Sequence, residues 1–367
     1  MDSVVIDGSH GEGGGQILRT ALTLSAITGR PLIIQRLRAG RQKPGLAAQH
    51  LTAVLSAAEL CRAVVSGAAL GSENLSFRPT VPPQAGDYLF DVAAAREGGS
   101  AGAATLVLQT VALVALFAIG ASRFCIRGGT HVPWSPPYDY IAHVWRPFLA
   151  RMGMVLEVEL AQFGFLPVGQ GEITARVSGL GTQACAHLKP VVIISRGPLR
   201  SVSGRAIAAN LPSHIAQRMA ARATTLLSSL VPTISIRAED VSAACPGAGL
   251  FLTAEYEHVS AAFNAFGARG KSSETVAAEA AGALLTHLRS GAALDLHLAD
   301  QALLPLALAC APSTFTCEGV MRHLETNAWV IGQFGIADVL IEGRERGPAL
   351  VSVKPRIAAA AAQGRPP

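Results

Sequence analysis

Charge is scarce in this chain of 367 residues: 15% of them are Asp, Glu, Lys or Arg, against 50% hydrophobic. That balance excludes wholesale disorder and a coiled coil, which need far more charge. The 37 glycines and 21 prolines fall well short of a collagen-like composition. Lys and Arg outnumber Asp and Glu by only 30 to 25, a net +5 that suits an anionic ligand but lacks the basic runs of a DNA-coating protein. Zinc-finger spacing is also missing. Cys61, Cys125, Cys185, Cys245, Cys310 and Cys317 lie far apart, with no C-x-x-C pair, so neither a structural zinc nor a disulfide framework is expected. The opening MDSVVIDGSHGEGGG has no basic start followed by an apolar stretch, so no secretory signal is read and a reducing cytosol is the expected compartment.

What is present is enough chain for about two domains. No charge occurs between Glu97 and Arg123, and Ala103 to Ala121 is nearly continuous Ala, Val and Leu. Such a run is long enough to span a bilayer. Gln109, Thr105 and Thr110 interrupt it, however, and no Trp/Tyr belt or polybasic flank accompanies it. A buried helix of a layered domain is the expectation.

Two stretches share a plan. Glu12-Gly13-Gly14, an apolar helix, Ile27-Thr28-Gly29 and the strand-like Pro31 to Ile34 are matched by Glu97-Gly98-Gly99, an apolar helix, Ile119-Gly120 and Arg123 to Ile126. The wider spacing in the second predicts a helix longer by about two turns. The plan returns at His297 to Ala309 followed by Thr314 to Cys317. Further helices are expected at Pro44 to Cys61, at Pro137 to Met152 and, in the third unit, at Ser273 to Arg289. Strands are expected at Asn74 to Arg78, Val155 to Leu160 and Glu172 to Ser178. The fold class is therefore α+β or α/β in repeated units. A different series of strands and one helix between about 183 and 274 predicts an inserted smaller domain, leaving 1–182 and 275–367 as the main body. After Lys354 the residues turn to Pro, Arg, Ala and Gln, which reads as a frayed tail.

Gly11-Glu12-Gly13-Gly14-Gly15 runs into a helix, where glycine lets backbone amides approach a phosphate and the helix terminus favours negative charge. It lacks the Lys-Ser/Thr end of a P-loop. On that helix Arg19 points away from the face of Ile17, Leu18, Ala21 and Ser25, either toward a ligand or toward Glu12. Arg36, Arg38, Arg41 and Lys43 fall within eight residues, just before a helix bearing Gln49 and His50; guanidinium groups hold phosphate oxygens in pairs, though a short charge run is also commonly a solvated loop. Gly267 to Ser272 resembles a P-loop, but the position that needs glycine is Ala265. His323-Leu324-Glu325-Thr326-Asn327 supplies an imidazole that could accept a phosphoryl group, with Thr or Asn nearby to fix its tautomer. His297 and Asp300 lie on one helical face, a spacing equally suited to a cap.

Together these residues resemble the RNA 3′-terminal phosphate cyclase family. The resemblance is carried by Asp7-Gly8-Ser9 through Arg19, Arg38-Ala39-Gly40-Arg41 with Lys43-Pro44-Gly45, Gln49-His50-Leu51-Thr52-Ala53, Leu106-Val107-Leu108-Gln109-Thr110, Leu298-Ala299-Asp300-Gln301, and His323 with Asn327. It implies three units similar to the C-terminal domain of translation initiation factor 3, interrupted by a thioredoxin-like domain. It also implies a ligase of nucleotidyltransferase type: His323 takes AMP from ATP, AMP passes to an RNA 3′-phosphate, and the ribose 2′-hydroxyl closes a 2′,3′-cyclic phosphate.

By the same resemblance Glu12 binds Mg²⁺ or Mn²⁺. Arg19, Arg38, Arg41, Gln49 and His50 meet phosphates of ATP or the RNA end. Gln109, His297, Leu298, Ala299, Asp300 and Gln301 line the adenosine pocket. The implied partners are ATP and RNA with a 3′-phosphate, without a membrane, in the cytoplasm, and the oligomeric state stays open, a homodimer included. Three places depart from the family pattern: Phe165 to Gly171 stands where Tyr-Pro-x-Gly-Gly-Gly is frequent, His297 stands where an aromatic residue is common, and Gly129 to Trp134 also drifts. The alternative is a non-catalytic, cyclase-like RNA-processing factor, which would lack the nucleophile; His323 and Glu12 together favour the enzyme.

Overall fold

The computed structural model describes residues 2–343 and 347–356. Three four-stranded sheets repeat one plan, strand-helix-strand-helix-strand-strand. The first has β1 (Val4–Asp7), α1 (Gly15–Thr28), β2 (Leu32–Gln35), α2 (Ala48–Cys61), β3 (Val64–Ser66) and β4 (Leu75–Arg78), in the order β1-β2-β4-β3. The second has β5 (Asp87–Asp91), α3 (Ala104–Ala115), β6 (Ile119–Gly128), α4 (Tyr138–Tyr140) continuing through a π turn at Ile141–Trp145 into α5 (Arg146–Arg151), β7 (Leu156–Gln162) and β8 (Gly171–Leu180), in the order β5-β6-β8-β7. After α6 (Ala184–His187) the third begins with β9 (Val192–Ile193). In each sheet the first two strands of the order are parallel and the other two pairings antiparallel.

Between β9 and the rest of the third unit the chain forms a fourth sheet. It comprises β10 (Leu199–Ala209), α7 (His214–Leu227), β11 (Ile234–Val241), β12 (Gly247–Tyr256), β13 (Ser260–Phe266) and α8 (Ser273–Ser290), with strand order β11-β10-β12-β13. The third unit then resumes with α9 (Leu296–Ala307), β14 (Ser313–Cys317), α10 (Arg322–Phe334), β15 (Ala337–Glu342) and β16 (Ala349–Pro355), in the order β9-β14-β16-β15.

Local sequence explains the elements. Along β6, Phe124 and Ile126 are buried between exposed Arg123 and Arg127, the period of two of a half-buried strand. Helix α1 buries Ile17, Leu18, Ala21, Leu22 and Leu24 and ends at Gly29, whose left-handed backbone (φ 70°) lets its N–H return to Ser25 O. The helices pack cyclically: α1 against α10, α3 against α2, and α9 against the π turn. They enclose one continuous core that includes Leu22, Val111, Trp145, Leu303 and Phe315. Each such side chain contributes about 1.5–3 kcal/mol by leaving water. A separate core, with Val202, Met219, Leu250, Leu252, Val276 and Leu284, lies under the fourth sheet.

Four sequence expectations change. The apolar run is not one long helix: α3 has 12 residues to the 14 of α1, because residues 97–103 form an extended loop and the chain turns at Leu116 into β6. Among the described residues no helix is long and apolar enough to cross a membrane. Helix Ser273 to Arg289, expected in the third unit, packs instead on α7, β12 and β13, while α10 fills the expected role. Strand β9, which falls within the 183–274 stretch expected to form the inserted domain, pairs instead with β14 across more than a hundred residues. Finally, Lys354 and Pro355 belong to β16, paired with β15; residues 357–367 of the expected tail lie outside the described residues. Gly267 to Ser272 serves as a helix start, with Ser272 Oγ accepting from Thr275 N at 3.1 Å. All six cysteines are free.

Candidate active site

Two loops leave the parallel strand pair β1 and β2 and meet over the N-terminus of α1. Glycine makes the meeting possible: a Cβ on Gly40 would lie 2.6 Å from Glu12 O, and one on Gly13 would lie 2.9 Å from Gly40 N, so neither position tolerates a side chain. The result delivers Arg41 to the Glu12 carboxylate, with which it forms an ion pair. The alternative pairing of Glu12 with Arg19 does not form; Arg19 donates to Gln16 Oε1 one turn back along α1.

Helix α10 brings the third unit to the same place. Its second residue, His323, sets Nε2 against Glu12 Oε2 and Nδ1 3.4 Å from Asp300 Oδ2. The Glu12 N–H donates to Thr326 Oγ1 at 3.4 Å, and Thr326 donates to Arg322 O. Asn327 ties three helices together: its Nδ2 donates to Asp300 O on α9 at 2.9 Å, and its Oδ1 accepts from Thr20 Oγ1 and from Gln16 Nε2 at 3.1 Å on α1. The imidazole is thus held between two carboxylates from separate units.

Burial shapes the charges. Asp300 is 5% exposed, and burial pushes its carboxyl up to about 8, partly offset by the Arg19 guanidinium and reinforced by Asp295; its Oδ1 has no hydrogen-bond partner. Burial pushes Arg19 down to about 10, with Asp300 opposing. His50 is pushed well below the usual imidazole range, first by burial and then by the charges of Arg19, Arg38 and Arg41. It is therefore a neutral ring set among three cations, with Nε2 so close to Gly15 that a Cβ there would sit 2.3 Å away. Arg38 is lowered by burial and donates to Gly45 O at 2.7 Å. An uncapped helix terminus with these cations around it is built for an anion.

Beside the Glu12 and His323 pair lies a cleft that opens to solvent. Arg19, Gln109, Asp300 and Gln301 line it, as do Gln16, Thr20, Thr23, Trp145 and Asn327. Gln109 Nε2 donates to Gln301 Oε1 at 2.6 Å, so two amide edges stand together facing the cavity. The remaining expected residues stand differently. Leu298 and Ala299 are buried in the main core, and their side chains do not line the pocket. His297 is exposed, its ring edge-on to Tyr140 at 6.2 Å. Gln49 Oε1 accepts from Ala103 N at 2.8 Å and so holds the start of α3.

Sequence reasoning missed Gln16, Thr20 and Thr23, although with Arg19 they form a polar stripe at i, i+3, i+4 and i+7 on α1 that could have revealed them. It also missed Trp145, placed on the pocket wall by the π turn. As for a metal, no group of three or more His, Cys, Asp or Glu side chains converges among the described residues. The lone Glu12 carboxylate fits an ion of the magnesium type, which takes its other oxygens from substrate phosphates and water. It does not fit a centre enclosed by protein ligands.

Comparison with known proteins agrees along the chain. Residues 10–341 match the family model described as RNA 3′-terminal phosphate cyclase. The RNA 3′-terminal phosphate cyclase of Methylococcus capsulatus is 55% identical over 353 residues, covering 96% of this chain and 97% of the relative. That of Gloeothece citriformis is 47% identical over 350 residues, covering 95% and 98%. A more distant one from Methanopyrus kandleri is 41% identical over 363 residues, covering 97% and 99%.

Proposed function

The chain belongs to the RNA 3′-terminal phosphate cyclase family, and from that premise we propose that it uses ATP to convert an RNA 3′-phosphate end into a 2′,3′-cyclic phosphate through a covalent adenylate on His323. The observation that carries the reading is the convergence of His323, Glu12 and Asp300 beside a cation-ringed helix terminus and a pocket of amide edges.

In this reading adenine occupies the pocket with Gln109 and Gln301, whose amides can match a purine edge. The triphosphate lies toward Arg19, Arg38, Arg41 and the neutral His50. Asp300, once ionised, accepts Nδ1–H of His323 and leaves the Nε2 lone pair free. Nε2 attacks the α-phosphorus, a nitrogen–phosphorus bond forms, and the bond to pyrophosphate breaks. An oxygen of the RNA 3′-phosphate then displaces His323 and takes over AMP. The adjacent 2′-hydroxyl attacks the activated 3′-phosphorus, loses its proton to solvent, and expels AMP. Splitting the transfer this way turns a poor leaving group into a good one. Glu12 would hold Mg²⁺ or Mn²⁺, which would neutralise phosphate charge during the displacement.

The remaining proposals follow the same premise. The four sheets divide into a body of three units, similar to the C-terminal domain of translation initiation factor 3, and an inserted thioredoxin-like domain. For its seams we propose the stretches after β9 and after α8, where the sequence suggested 183 and 274; the change of strand pairing and of core supports this reading. A reducing cytoplasm suits six unpaired cysteines. The test of substrate is direct: an RNA with a 3′-phosphate should become phosphatase-resistant with ATP, and one with a 3′-hydroxyl should not change. Conversion of neither would leave the non-catalytic RNA-processing reading.

A further inference from the structure

We propose that His10, stacked on Trp329, is a platform for the terminal nucleobase of the RNA, on the side of the catalytic pair opposite the nucleotide pocket. The proposal rests on the cyclase reading above and adds a base-binding position to it. His10 lies in the loop between β1 and α1, two residues before Glu12, and is exposed. Its ring lies on the indole of Trp329 with centroids 3.9 Å apart and planes inclined by 14°. Trp329 is half-buried and packs against the main core, so it forms a rigid backing for the imidazole.

The placement comes from α10. Thr326, which accepts from Glu12 N, lies three residues before Trp329, on the adjoining turn of the same face. Asn327 lies two residues before Trp329, about 200° around the helix, and lines the nucleotide pocket. The stacked pair therefore faces away from that pocket while staying next to Glu12. With adenosine on one side of the Glu12 and His323 pair, the other side remains for the second substrate, whose phosphate must reach the same imidazole. A flat, pre-ordered ring that makes no sequence-reading hydrogen bonds suits any unpaired base, and its rigidity lowers the entropy lost on binding.

The test uses the whole protein and short oligoribonucleotides with a 3′-phosphate, whose last nucleotide carries a base or is abasic. Affinity is read by fluorescence anisotropy of a 5′ label, which needs no turnover, and adenylylation of the same proteins by α-labelled ATP is followed in parallel. Wild type should bind the normal end about tenfold more tightly than the abasic end. His10→Ala should lose that preference, and His10→Phe should restore it. Equal affinity of His10→Ala and wild type for the normal end would overturn the proposal. So would slower adenylylation of His10→Ala, since the ring would then be positioning the Glu12 loop, or a raised KM for ATP, since the ring would then serve adenine. Absence of adenylylation in wild type would refute the cyclase reading instead, and the affinities would still decide whether the platform binds a base.

Discussion

His323 Nδ1 lies 3.4 Å from Asp300 Oδ2, while Nε2 of the same ring faces Glu12. One nitrogen is therefore addressed by a residue of α9 and the other by the glycine-rich loop, and the ionisation of Asp300 decides how well the ring is oriented. Burial, opposed by Arg19, raises Asp300 from 3.8 to about 8. Self-adenylylation should accordingly rise as pH passes through about 8, where the carboxylate forms and can accept Nδ1–H. Asp300→Asn cannot ionise, so its profile should lack that rise. Stability should move the other way. A group whose folded pKa is raised contributes stability that is full below its unfolded pKa and is lost as pH climbs through the folded one. Asp300→Asn should thus melt higher than wild type at pH 9, with the difference shrinking toward pH 4. A wild-type rate already flat from pH 6 to 9 would contradict this account.

The Gln109 and Gln301 amides meet at 2.6 Å inside the pocket. Gln109→Leu keeps the volume but strands the Gln301 carbonyl and removes one edge for a purine. A lost hydrogen bond of this kind costs about 1–3 kcal/mol, which predicts roughly a 5- to 150-fold fall in kcat/KM for ATP. Unchanged dependence on ATP would remove adenine from this pocket.

His287, fully buried at the end of α8, pairs with Glu318 in the loop that leads from β14 to α10. That loop starts the helix carrying His323, so an element of the fourth sheet's core steadies the nucleophile. His287→Ala leaves the nearly buried Glu318 carboxylate without this partner. The variant should lose about 1–3 kcal/mol of stability, read from denaturant unfolding. It should also adenylylate more slowly at a temperature where it remains folded. His287→Gln, which can still donate to Glu318, should recover most of both. A destabilised His287→Ala with a wild-type rate would show that the pair holds the fold alone.

Where local pattern dominates, the architecture could be read from the chain. The glycine loop entering α1, the alternation in β6 and the return of the plan at His297 to Cys317 all rest on neighbours in sequence. Elements decided by distant partners escaped. β9 is two residues long and becomes a strand only because β14 lies beside it. Helix α8 has an apolar face that suits either body, and the surface formed by α7, β12 and β13 decides which. The site divides in the same way. His323, Glu12, Asp300, Gln109 and Arg19 could be named in advance by resemblance, and they come together here. That Glu12 would choose Arg41 over Arg19 depends on the close approach of Gly13 and Gly40, a tertiary contact without a local signal. The π turn that sets Trp145 on the pocket wall has none either.

The central claim is that His323 carries adenylate. Incubation of the protein with α-labelled ATP and Mg²⁺ or Mn²⁺ should give label that stays with the polypeptide in base and leaves in acid, the behaviour of a phosphorus–nitrogen bond, and His323→Ala should give none. An unlabelled wild type, or equal labelling of His323→Ala, would contradict the account.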